Sequence, residues 1–217
     1  MESNDIEIEQ NKEFIKFLDN DDEYEFVYEI SKEKIDYLYE GKPINFNLIA
    51  KTVRLFLYNW NISFYKYGKL TIHDLEECIR NNHKDIVFFR SREIKDYSNN
   101  DYIKVKNLFE KFLVSTKIIV KEKLKYSPVS VAKTLHILAP SFFIPWDNAI
   151  AKGYRSKNKS CYWYRSQDAS ENYIQFLFEI KCQILKFKKP LTNLSNKYNK
   201  NILRIFDLYN LFKYKYQ

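Results

Sequence analysis

Glycine is almost missing from this chain, with 3 in 217 residues, beside 5 prolines, 3 cysteines and 3 histidines. Loops that cradle phosphates need clustered glycines, and neither GxGxxG nor GxxxxGK occurs, which excludes dinucleotide and Walker-type sites. A sheet-rich fold needs glycine at its tight turns. The scarcity therefore points to helices joined by polar turns. Cys78, Cys161 and Cys182 are widely spaced, no CxxC occurs, and no histidine lies at ligand spacing from them. No structural zinc and no cofactor are expected, and the thiols fit a reducing compartment. No GxSxG occurs, so a Ser-His-Asp site of that kind is excluded. No run of 18 apolar residues exists, and the N-terminal stretch is polar and acidic. The expectation is a cytoplasmic protein with no membrane partner.

What is present is apolar and basic. Hydrophobic residues make up 45% and aromatic residues 18%, enough for a large core. The formal charge is +8, unevenly spread: residues 1–40 carry 14 acids and 4 bases, the rest 14 acids and 32 bases. A basic body behind an acidic leader suggests a polyanionic partner, with DNA first and RNA or a nucleoside next. A solvated lysine-rich surface would have the same composition.

Residues 1–10 are expected to be a frayed acidic leader, and 11–217 one helical domain with lobes at about 11–100 and 101–217. Phe14, Phe17 and Leu18 mark a first helix. Tyr24–Ile30 reads as a strand, or as a helix with Phe26, Val27 and Ile30 inward. Ile49, Val53, Phe56 and Leu57 follow helical spacing after a cap at Asn45 or Asn47. Thr71 caps the next helix, whose His73, Asp74, Glu76 and Glu77 read as an acidic first turn rather than a metal cluster. Ile86–Phe89 is a short β-like run. A long helix is predicted over Tyr102–Lys125, a further one over Ala169–Lys186 with Pro190 breaking it, and a terminal one through Ile202–Phe212. The fold class is all-α, roughly nine helices, with two lobes around a cleft that Asp147 faces.

The organising stretch is Tyr126–Tyr154, with three of the five prolines. Ser127 caps a helix with Pro128 at its first position, and Pro140 stops it. A bulky turn, Phe142-Phe143-Ile144-Pro145-Trp146, leads to Asp147 at the start of the next helix. A carboxylate there can cap the free N–H groups, or activate water and stabilise a developing cation. Lys133 lies among apolar neighbours. If buried, its amine has a lowered pKa and becomes a nucleophile; otherwise it snorkels outward. His136, one turn on, shares its face. The loop after Tyr154 mixes Arg155, Lys157, Lys159 and Arg165 with Trp163, a pattern suited to phosphates and unstacked bases.

The stretch resembles the core of the helix-hairpin-helix DNA glycosylase superfamily. That family's L-P-G-V-G-x-K-T hairpin is matched by Ser127-Pro128-Val129-Ser130-Val131-Ala132-Lys133-Thr134. Its V-P-V-D helix opening is matched by Ile144-Pro145-Trp146-Asp147. Val129 and Val131 stand where the family has glycines. The resemblance covers about 30 residues. It implies an N-glycosidic bond cleavage with Asp147 as catalytic carboxylate, Lys133 as the amine that attacks the sugar, and Trp146 or Trp163 stacking on a flipped base. The alternative is a non-catalytic helical module that binds nucleic acid or a protein.

Overall fold

The computed structural model describes residues 7–20, 23–41, 43–157 and 168–216. Among these it has thirteen α-helices and one two-stranded sheet, so the all-α class holds. The first helices are α1 (Glu7–Gln10), α2 (Lys12–Asp19), α3 (Glu23–Glu40), α4 (Phe46–Trp60) and α5 (Ile62–Tyr65). After them come α6 (Ile72–Asn81), α7 (His83–Arg90) and α8 (Tyr102–Ser115), then a hairpin of β1 (Ile118–Val120) and β2 (Lys123–Lys125). The chain closes with α9 (Pro128–Leu138), α10 (Asn148–Lys157), α11 (Ala169–Lys186), α12 (Lys188–Tyr198) and α13 (Ile202–Leu211), followed by a π-helical turn over Phe212–Tyr216. Among the described residues no helix is long and apolar enough to cross a membrane.

Helix α9 is the centre. Every residue of it except Lys133 is buried, so it is apolar all round, as a helix inside a core must be. Helices α3, α4, α8 and α11 pack on it. The core is one cluster reaching from Ile8 to Phe212, and it joins the two expected lobes without a break. Ile8 is buried, and Asn193 on α12 donates to Glu9 at 3.0 Å. The last four residues of the expected leader are therefore a helical part of the folded body.

Several local expectations are corrected. Tyr24–Ile30 is helix, but Phe26 and Ile30 face solvent while Tyr28, Ser31, Ile35 and Leu38 face the core. The run Ile86–Phe89 is also helix. Its i,i+3 pair, Ile86 and Phe89, is buried, and Val87 and Phe88 are left part-exposed. A four-residue apolar run carries no period long enough to tell the two apart. Thr71 precedes α6 without a side-chain cap bond. Helix α8 stops at Ser115 rather than Lys125. The Ser115 and Thr116 hydroxyls turn back onto the Phe112 carbonyl, at 3.2 and 2.7 Å, and the β-branched Ile118, Ile119 and Val120 continue as a strand.

The hairpin pairs Val120 with Lys123 across the two-residue loop Lys121-Glu122, both at positive φ (48° and 62°). A two-residue I′ loop requires that conformation, and Asn-Gly adopts it with least strain. Replacing Lys121-Glu122 by Asn-Gly is expected to stabilise the protein by about 1 kcal/mol. A urea midpoint that stays put or falls would contradict this.

Candidate active-site cleft

The apolar turn between α9 and α10 is buried from Phe142 to Trp146, which is unusual for a connecting segment. Carbonyls in it and just before it accept hydrogen bonds from several elements, which lowers the cost of burying backbone. Ile94 N–H donates to Ser141 O (2.9 Å), and the Tyr173 hydroxyl donates to Ile144 O (2.8 Å). The His136 imidazole meets Phe143 O at 2.7 Å, and Arg90 donates to Leu138 O just before the turn. The turn is thereby held rigid, and it delivers Asp147 to the mouth of α10.

Asp147 is an N-cap: its Oδ1 accepts the Ile150 N–H at 2.8 Å. It also lines a cleft of about 1230 Å³. Lys133 lines the same cleft from α9. The two residues that the sequence singled out are thus brought together. The opposite wall comes from α13, whose Arg204 and Asp207 stand at i,i+3 and so share a face. Glu25 of α3 and Trp60 at the end of α4 complete the inner end. Lys66, Lys200 and Lys215 also line the cleft.

The charges here are tightly arranged. Arg204, 3% exposed, donates to Asp207 and to Glu25, and its guanidinium lies 4.6 Å from the Tyr28 ring centre and 4.9 Å from that of Trp60. Lys200 pairs with Glu25 at 2.5 Å. Burial pushes the Glu25 carboxyl up, but Arg204 and Lys200 outweigh it, and it sits below its ordinary value. Asp207 goes the other way. Burial raises it to about 7 against the pull of Arg204, and Asp147 and Glu25 add to the rise. The Lys133 amine donates to Trp60 O. Burial brings it down to about 8, while the carboxylates of Asp147 and Asp207 hold it from falling further. An amine and a carboxyl that both titrate near neutrality in one cleft can exchange protons at working pH.

His136 lies behind the cleft, fully buried and stacked on Tyr28 at 5.2 Å. Its bond to Phe143 O assigns the proton to Nδ1, and Nε2 has no hydrogen-bond partner among the described residues. Burial, and then Arg204, lower its pKa to about 3. The unfolded chain takes up this proton below about 6.5 and the folded one does not. His136 therefore contributes stability that is present above pH 6.5 and lost as pH falls toward 3. Asp207, with its raised pKa, acts in the opposite sense between about 4 and 7. His136→Gln keeps a donor for Phe143 O and removes the proton uptake. Its acid-unfolding midpoint is expected at lower pH than wild type, read by circular dichroism; an unmoved midpoint would dismiss this assignment.

Other expected site residues are placed differently. Trp146 is fully buried, stacked on Phe176 at 6.0 Å and close to Tyr173. It is a core residue and cannot stack on a flipped base. Its apolar neighbours along the turn carry it inward. Arg155 and Lys157 lie on α10, and their side chains are outside the described residues, as are Lys159, Trp163 and Arg165. The acidic turn of α6 is taken up in surface pairs: Lys117 with Asp74 (2.7 Å), and Arg80 and Asn47 with Glu76. Cys78 and Cys182 are free thiols; Cys161 is outside the described residues.

Arg204 and Asp207 went unnoticed in the sequence. The signal was there: two opposite charges at i,i+3 inside the otherwise apolar ILRIFDLYNL. The segment matched to the glycosylase hairpin, Ser127–Thr134, is the cap and first seven residues of α9 and follows a strand, not a helix. Two of its first N–H groups are already engaged. Ser130 N–H donates to the Ser127 hydroxyl (3.2 Å) and Val131 N–H to Ser127 O (3.2 Å). No family model, no curated protein and no solved structure matches the chain.

Proposed function

We propose that the cleft is the active site of a nucleic-acid-processing enzyme that cleaves the N-glycosidic bond of a damaged or modified base. The observation that carries the reading is that Lys133, its amine lowered to about 8, lines the same cleft as Asp147. The cleft, about 1230 Å³, is large enough to admit a nucleotide. In the proposed reaction the free Lys133 amine attacks C1′ of the extruded nucleotide. The nitrogen–C1′ bond forms as the C1′–base bond breaks. The base leaves with the bonding pair and takes a proton from the Asp207 carboxyl. The new secondary ammonium returns one to the Asp207 carboxylate. The C1′–O4′ bond then breaks, the nitrogen lone pair forms the iminium, and O4′ takes the proton held by the Asp207 carboxyl. Asp147, held by its cap bond, stabilises the positive charge that develops on the sugar.

The test is base release from duplex and single-stranded substrates carrying damaged or deaminated bases. Asn caps a helix about as well as Asp, so Asp147→Asn is expected to keep its melting temperature. Without the negative charge, base release is expected to fall about a hundredfold or more. Activity that survives in Asp147→Asn, or no release by the wild type on any substrate, would remove the enzymatic reading. One observation favours the second reading, a non-catalytic binding module: the Asp147 carboxylate is already engaged as a cap. That reading expects Asp147→Asn to change nothing.

A further inference from the structure

Five basic and three acidic side chains line the cleft, so it has two more cations than anions. The excess belongs to particular residues. Glu25 and Asp207 are met by Arg204 and Lys200. The Asp147 carboxylate acts on the Lys133 amine. Lys66 and Lys215 are left, and neither forms an ion pair among the described residues. Each ammonium lies over the ring of the next residue, at 4.8 Å from that of Tyr67 and 5.3 Å from that of Tyr216. Exposed lysines without an acid are ordinary on a basic surface. These two differ in their place: one follows α5 and the other α13, and both line the same concave cleft as Lys133.

The backbone that carries Lys215 is unusual. The chain after α13 forms a π-helical turn over Phe212–Tyr216, a rare form that recurs at functional sites. Its aromatic residues fix it on three sides. Phe212 is buried, with its ring 5.5 Å from that of Phe14. Tyr214 packs on Gly153 of α10 so closely that no Cβ would fit there. The Tyr216 ring lies 5.5 Å from that of Phe17 on α2. The turn so held keeps Lys215 at the cleft, near enough to Lys133 for its charge to push that amine down. Folding thus sets one cation beside another and supplies no acid, an arrangement that a bound anion relieves.

We propose that Lys66 and Lys215 hold the phosphate of the nucleotide whose base enters the cleft. The proposal rests on the reading of the cleft as a nucleotide site and concerns binding alone. Each lysine offers a compact charge and three donors on a flexible stem. The ligand is then a phosphorylated nucleoside, free or within a strand, and the bare nucleoside is disfavoured because it cannot make the charge-assisted bonds. The experiment is calorimetry at low salt. The probes are deoxyadenosine, deoxyinosine and deoxyuridine, each as the nucleoside, as the 5′-monophosphate and as the middle residue of a trinucleotide. At least one phosphorylated form is expected to bind about tenfold or more tighter than its nucleoside. A preference already present in the 5′-monophosphate supports a terminal phosphate, and one confined to the trinucleotide supports the phosphates of a strand. Lys66→Gln with Lys215→Gln is expected to abolish the preference and leave nucleoside affinity unchanged. Both side chains are exposed, so this variant is expected to melt with the wild type. The same change at Lys51 and Lys189, exposed lysines away from the cleft, is expected to do nothing. The proposal is overturned if nucleoside and phosphorylated forms bind equally, or if the Lys66 and Lys215 variant keeps the preference. It is also overturned if the Lys51 and Lys189 variant loses as much, because the effect would then be one of net charge, or if no probe binds the wild type. Equal binding with base release intact removes the phosphate site and leaves the reaction standing. Absence of base release with the preference intact does the reverse.

Discussion

Lys133→Ala is expected to lose completely the borohydride-trapped adduct between the protein and abasic-site DNA. The chain is lysine-rich, so the result depends on why one amine among many would react. An ordinary lysine, with a pKa of about 10.4, is less than about 1% free amine at pH 8. Lys133, brought down to about 8 by burial, is about half free there. It therefore has about a hundredfold more nucleophile at that pH than a surface lysine. Wild-type trapping is expected to rise between pH 7 and 9 and then level off, following the Lys133 amine. Lys133→Arg keeps a cation in the cleft but offers no nucleophilic amine, and it is expected to be as inactive as Lys133→Ala. An adduct that persists in both variants with an unchanged pH profile would place the chemistry on another lysine and end the proposed role of Lys133. Circular dichroism of the variants separates loss of the amine from loss of the fold. That control is needed because Lys133 also donates to Trp60 O.

The second large effect concerns stability. Arg204→Ala is expected to cost about 3–5 kcal/mol, the range for breaking a buried pair from one side. Arg204 is the shared donor to Asp207 and Glu25, and it is covered by the Tyr28 and Trp60 rings. Without it Asp207 keeps its buried position and loses its countercharge, and its carboxyl is pushed still further up. Typical domains have about 5–15 kcal/mol in all, so the variant should be close to unfolding at room temperature. Replacing both members, Arg204→Met with Asp207→Leu, is expected to recover most of the loss, because no unpaired charge then remains in the interior. Glu25 stays paired with Lys200 in that variant. Urea unfolding of the two variants checks both statements. A cost under about 1 kcal/mol for Arg204→Ala would show that solvent reaches the network.

The same residues show how far reading the chain could go. Caps were legible because they are local. Ser127, Asn45 and Asp147 each accept an N–H three residues on, and that spacing is written in the sequence. The core face of α4 was legible for the same reason: Ile49, Val53, Phe56 and Leu57 repeat at the helical period and are all buried. The scarcity of glycine and the proline-rich stretch around α9 pointed to an all-α body organised there, and α9 is indeed its buried centre. Lys133 and Asp147 were both identifiable as candidates, each from its neighbours.

Tertiary structure decided what neighbours along the chain do not encode. The helical period of Phe26 and Ile30 is satisfied equally by either face of α3. Only the packing against α4 and α9 turned Tyr28 inward and left those two outside. Trp146 sits beside Asp147 in sequence, yet the buried turn sends one into the core and the other into the cleft. The cleft itself is non-local. Asp207 and Arg204 reach it from α13, Glu25 from α3 and Lys133 from α9, and burial among them moves the Lys133 amine and the Asp207 carboxyl toward neutrality. The caps at Ser127, Asn45 and Asp147 and the apolar face of α4 follow from interactions within a few residues, so the sequence alone determined them. The meeting of charges, and the desolvation that tunes them, depends on which helices close over which, and that is set by the packed fold.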